Sequence, residues 1–107
     1  MIKRLGPLPL KDYLQNAVTP PLLLDVREGW EFERCNIPGS KLISMGQIPN
    51  SLALLDPAQE IAVICHHGVR SMRVAAFLEQ QGFEQLINLE GGIDAWAREV
   101  DQSLAIY

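Results

Sequence analysis

Residues 61–71 read Ile61-Ala62-Val63-Ile64-Cys65-His66-His67-Gly68-Val69-Arg70-Ser71. Four consecutive apolar residues predict a strand buried on both faces, as in a parallel sheet. A cysteine stands at the carboxyl end of that strand, and a short polar loop with one glycine follows. Arg70-Ser71 then opens a helical stretch, so a helix N-terminus points back at the thiol. Such a setting favours an anionic, reactive sulfur.

Working outward, Ser71 to Gln81 places Val74, Phe77 and Leu78 on one helical face, with Gly82 in the stop position. Upstream, Leu22-Leu23-Leu24-Asp25-Val26 predicts a second buried strand, preceded by a helix over Pro9 to Asn16 that Pro20-Pro21 closes off. Glu28 to Arg34 reads as a short helix, Ile37-Pro38-Gly39-Ser40 as a turn, Lys41-Leu42-Ile43 as a short strand and Gln47 to Leu55 as another short helix. Downstream, Gln85 to Leu89 alternates as a strand and Gly91-Gly92 begins a last helix carrying Ile93 and Trp96. Residues 101–107 show no period. Strands alternating with helices predict one α/β domain over residues 1–107: a doubly wound parallel sheet of four or five strands with helices on both faces. Sheets of this kind hold ligands outside the carboxyl ends of their strands. Cys65 lies at such an end, and so do Asp25 to Arg27.

The 107 residues carry 9 basic and 13 acidic side chains, for a net charge of −4. No Lys/Arg cluster offers a face for nucleic acid, and no apolar run approaches the ~20 residues that cross a bilayer. Met1 to Leu5 is basic, but Gly6, Pro7 and Pro9 interrupt it before a leader's apolar segment can form, which predicts a cytoplasmic protein. Two cysteines in unlike contexts do not make a disulfide framework. Adjacent Cys65-His66-His67 lacks the spacing of zinc ligands, so neither a metal nor another cofactor is expected. Locally, His66, His67, Arg70 and Arg73 gather near Cys65 with no acid from Ile61 to Ala76. That suggests a small anionic substrate, unless the arginines pair with acids from elsewhere in the fold.

A free thiol is little ionised at neutral pH, and positive surroundings or a helix N-terminus activate it. Gly68 lets successive backbone N–H groups turn inward as an anion nest, and the following helix adds more. At this point the chain resembles a family. Cys65-His66-His67-Gly68-Val69-Arg70-Ser71 is similar to the active-site loop of the rhodanese-like sulfurtransferases, and Asp25-Val26-Arg27-Glu28 resembles their strand motif. Ile37-Pro38-Gly39-Ser40 resembles their Gly-His-Ile-Pro-Gly-Ala turn, and Gly91-Gly92-Ile93-Asp94-Ala95-Trp96 their closing helix. The four matches follow the family's order from Leu22 to Trp96.

The resemblance implies a reaction and a set of partners. The Cys65 thiolate would attack the outer sulfur of thiosulfate or a similar small anionic donor, releasing sulfite and leaving a persulfide. Cyanide, a thiol or a protein acceptor would then take the sulfur. Loop N–H groups from His66 to Ser71 would hold the persulfide charge. Phosphatase loops of related fold carry five residues between cysteine and arginine, whereas four separate Cys65 from Arg70. The shorter loop makes a smaller cup, better suited to one sulfur than to a phosphate or arsenate. A binding or sulfur-delivery module without turnover is the other alternative.

Within the loop, His66, His67, Gly68 and Val69 shape access, and Ser71 is expected to cap the helix. Arg70 either faces the substrate or braces the loop through an acid on the rim, with bracing favoured. Asp25 anchors the loop, and Arg27 pairs with Glu31 or touches substrate. Trp30 and Trp96 are expected to pack in or near the core. The chain departs from the family pattern at Cys35-Asn36, where Gly-His precedes Ile-Pro-Gly. Cys35 is expected to fill space rather than resolve a Cys65 adduct as a disulfide, which would need close approach of the two Cα atoms.

Overall fold

The computed structural model describes residues 1–107. Five parallel strands form one sheet: β1 (Ile2–Leu5), β2 (Leu22–Asp25), β3 (Lys41–Leu42), β4 (Ile61–Ile64) and β5 (Leu86–Leu89), in the order β1-β5-β4-β2-β3. Four helices join them: α1 (Pro7–Asn16), α2 (Gly29–Arg34), α3 (Val69–Gln80) and α4 (Gly92–Glu99). Five strands with helices on both faces agree with the expected architecture.

The two strongest apolar runs, β2 and β4, are neighbours in the interior of the sheet. All four residues of β4 are buried, and β2 and β5 flank it. α3 lies over one face, where Leu24, Val63, Val74, Ala75 and Leu78 share a cluster with Ile48 and Leu55. α1 and α4 cover the other face, around Leu10, Ala62, Ile64, Ile87, Ile93 and Trp96. Alternate residues of β4 therefore feed opposite layers, which is why its sequence shows no polar side.

Two elements differ from expectation. β1 was not legible, because Lys3 and Arg4 interrupt its apolar residues; it is an edge strand, where charged side chains reach water and discourage further pairing. The expected helix over 47–55 is instead two 3₁₀ turns, Met45–Gln47 and Pro49–Leu54, with Pro49 at the start of the second. A proline there removes a donor that a continuous helix would need.

Topology places the site. β2 leads through α2 to β3 on one side, whereas β4 leads through α3 to β5 on the other. The chain thus diverges at the carboxyl ends of β2 and β4, where Asp25 pairs in register with Ile64. Cys65 is the next residue, at the strand ends where sheets of this kind hold ligands.

Candidate active site

Cys65 is 1% exposed, at the turn from β4 into the loop. Its thiol donates to Ser71 Oγ at 3.2 Å, and the Gly68 N–H donates to its sulfur at 3.0 Å. Gly68 precedes α3 with φ +99°, a left-handed conformation that aims this N–H inward. A Cβ there would lie 3.2 Å from the Gly91 nitrogen and 3.3 Å from the Leu89 oxygen. The start of α4 secures the loop's opposite side: Ile93 N–H donates to the Cys65 carbonyl at 2.8 Å and Asp94 N–H to that of His66 at 3.1 Å. A Cβ on Gly92 would come within 2.5 Å of the Cys65 oxygen and closer still to that of His66. The Gly-Gly pair therefore lets a helix end press directly on the loop.

Ser71 does not cap α3. It is the third helical residue, fully buried, and its hydroxyl joins Cys65 to Asn88 instead. Gly68 occupies the cap position, so its backbone, not a side chain, turns the chain into the helix.

Arg70 braces. Its guanidinium makes two hydrogen bonds to the Glu31 carboxylate, at 2.7 and 2.9 Å. Those bonds, opposed by burial and helped by the Glu28 N–H and Tyr107, lower the Glu31 pKa to about 2. The same pairing raises that of Arg70. Arg27 is fully buried and pairs with Asp25 rather than with the Glu31 side chain; only the backbone oxygen of Glu31 accepts from it. It also donates to the Cys35 carbonyl at 2.7 Å and to the Tyr107 hydroxyl at 2.8 Å. Burial works against its charge, but hydrogen bonds to Asp25 and Tyr107 more than offset this and push its pKa upward. Every arm of the buried Arg27 side chain is thus engaged within the protein.

Tyr107 ties these parts together. Its hydroxyl donates to Glu31 at 2.8 Å while accepting from Arg27, and its ring stacks on His66 with centroids 3.9 Å apart and planes 4° from parallel. Burial, with Glu31 beside it, pushes its pKa up to about 12. His66 in turn stacks on His67 at 3.9 Å. Burial and then the neighbouring His67 lower the His66 pKa, and its Nε2 has no partner. Burial thus works against a charged His66 and Glu31 already pairs with Arg70, which weakens the positive charge expected beside Cys65; the backbone donor on its sulfur is the Gly68 N–H.

His66, His67 and Asp94 each bring one ligand atom within 4.8 Å of the others. Asp94 also pairs with Arg98 at 3.2 Å. Trp30, expected near the core, is 63% exposed, while Trp96 is buried at 6%. Cys35 and Cys65 are both free and belong to core clusters on opposite faces of the sheet.

Asn88 and Tyr107 escaped the sequence, and Glu31 was assigned to Arg27 rather than to Arg70. Asn88 had a visible signal, a lone amide in the apolar run Leu86 to Leu89. Glu31 had a weaker one, since Glu28 and Glu31 form the capping box of α2. Tyr107, in an aperiodic tail, had none.

This arrangement has known counterparts. The family model for the rhodanese-like domain matches residues 9–99. The chain belongs to the rhodanese-like family. The rhodanese-like chain is 40% identical over 98 residues to "Putative sulfurtransferase YtwF" of Bacillus subtilis, covering 92% of this chain and 93% of that one. It is 39% identical over 89 residues to "Rhodanese-like/PpiC domain-containing protein 12, chloroplastic" of Arabidopsis thaliana, spanning 79% of this chain but 30% of that longer protein. A crystal structure of a rhodanese-like domain protein from Staphylococcus aureus superposes with a TM-score of 0.83 at 34% identity, over 98% of both chains.

Proposed function

We propose that the protein is a sulfurtransferase that carries a sulfane sulfur as a persulfide on Cys65, taken from thiosulfate or a similar donor and passed to cyanide or a thiol. The observation that carries this reading is the loop itself: the Gly68 N–H already bonds the Cys65 sulfur, inside a turn of four residues between cysteine and arginine. Attack forms a bond from Sγ to the outer sulfur of the donor, and the sulfur–sulfur bond to sulfite breaks with its electron pair leaving on sulfite. The thiol proton passes to sulfite or solvent. The new anion is the outer sulfur, and the loop N–H groups from His66 to Ser71 hold its charge. His66 need not act as an acid, because sulfite leaves without a proton.

The engaged state of Arg70 favours this over phosphatase or arsenate reductase chemistry. A tetrahedral oxyanion calls for a free guanidinium fork, and Glu31 fills that of Arg70. Relatives named as sulfurtransferases support the same reading. The test is steady-state thiocyanate formation from thiosulfate and cyanide by the parent and Cys65→Ser, beside hydrolysis of an aryl phosphate. Turnover of thiosulfate that is lost in Cys65→Ser is expected. Retained turnover in the variant, or aryl phosphate hydrolysis exceeding sulfur transfer, refutes it.

A further inference from the structure

Asn88 is completely buried within an otherwise apolar strand, and the reaction as described gives it no part. Its Nδ2 donates to the Glu90 carboxylate and, at 3.3 Å, to the Gly68 carbonyl. Both partners only accept, so the orientation of the amide is fixed. Oδ1 consequently faces Ser71, and since it too can only accept, the single Ser71 hydroxyl proton is committed to Asn88. What Ser71 turns toward Cys65 is a lone pair, and the thiol donates to it. We propose that Asn88 is a positioning residue which, by holding the Ser71 proton, keeps negative charge off the inner sulfur of Cys65.

The consequence follows from counting donors. When Cys65 loses its proton the bond to Ser71 is lost, and of its two hydrogen bonds the sulfur keeps the Gly68 N–H. Ser71 can turn its proton to the sulfur only by leaving Asn88 Oδ1 unpaired in a buried site, which is unfavourable. Sulfur transfer moves the charge outward, from Sγ to the outer sulfur. A network that withholds a donor from Sγ, yet leaves the loop N–H groups to the outer sulfur, favours the loaded form over the bare thiolate. This builds on the reading of Cys65 as the sulfur carrier, but its test uses no sulfur donor, so the two can fail separately.

The readout is alkylation of Cys65 in the full chain by iodoacetamide, taken as the ratio of the rate at about pH 6 to that at about pH 10. The alkaline rate serves as each variant's own reference, so the ratio cancels any change in access. Asn88→Leu nearly preserves volume, continues the apolar run and frees the Ser71 proton for the sulfur. The ratio should rise about ten-fold, the size of one charge-assisted hydrogen bond. In a Ser71→Ala background the same substitution should leave the ratio unchanged, because no hydroxyl remains to redirect. Asn88→Ala gives the same comparison should the leucine variant fail to fold. An unchanged or lower ratio in Asn88→Leu, or a rise that persists without Ser71, overturns the proposal.

Discussion

Replacing Glu31 by glutamine removes the charge that holds Arg70. The side chain is 5% exposed and accepts from Arg70 at 2.7 and 2.9 Å, from Tyr107 at 2.8 Å and from the Glu28 N–H at 3.0 Å. Glutamine keeps an acceptor for Glu28, so the capping box of α2 survives, while the charge is lost and an amide nitrogen takes the place of the oxygen that accepts from Arg70 and Tyr107. The carboxyl pKa falls from its ordinary 4.5 to about 2, chiefly through Arg70. At about 1.4 kcal/mol per unit, that depression stabilises the native state by about 3 kcal/mol at neutral pH. Because the folded value lies below the unfolded one, this contribution is complete above about pH 5 and fades as pH falls toward 2. By pH 3 about 1.4 kcal/mol is left. Urea unfolding of parent and Glu31→Gln at pH 7 and pH 3 should therefore show a gap that shrinks by about half or more on acidification. A gap below about 0.5 kcal/mol at pH 7, or one equally wide at pH 3, would refute the claim that the Glu31 charge braces the loop.

Other expectations follow from the same contacts. Gly92→Ala should lower the melting temperature by more than about 10 °C, because the new Cβ meets the Cys65 and His66 carbonyls at a φ of +62°; a melt within about 2 °C of the parent contradicts this. Tyr107→Phe keeps the ring on His66 but loses the hydroxyl between Arg27 and Glu31, and should destabilise by about 1–2 kcal/mol in urea. No loss would mean that the hydroxyl does not bridge the two. Cys35→Ala should leave sulfur loading unchanged, and oxidation of the parent should give no Cys35–Cys65 disulfide by peptide mapping, since the two thiols sit on opposite faces of the sheet. Detection of that disulfide would reverse the assignment of Cys35.

What the sequence disclosed depended on how locally each feature is determined. Ile61 to Ile64 and Leu22 to Leu24 announce buried strands because both sheet faces are covered, so three or four apolar residues in a row suffice. Ile2 to Leu5 does not, because an edge strand tolerates Lys3 and Arg4. The cysteine loop was legible for the same local reason: strand end, glycine and helix start are contiguous. The bracing was not. Arg70 meets Glu31 across 39 positions and Tyr107 meets Arg27 across 80, and no periodicity encodes such distant partners. Ser71 was misread as a cap because an isolated serine at a helix start is ordinarily one; here the left-handed Gly68 takes that position and frees the hydroxyl for Asn88.

The most direct test of the central claim is the intact mass of the protein after incubation with thiosulfate and removal of excess donor. The parent and Cys35→Ala should each gain one sulfur, Cys65→Ser should gain none, and cyanide should strip the added sulfur from the first two. A parent that gains nothing, or a Cys65→Ser protein that loads as fully as the parent, would contradict Cys65 as the carrier.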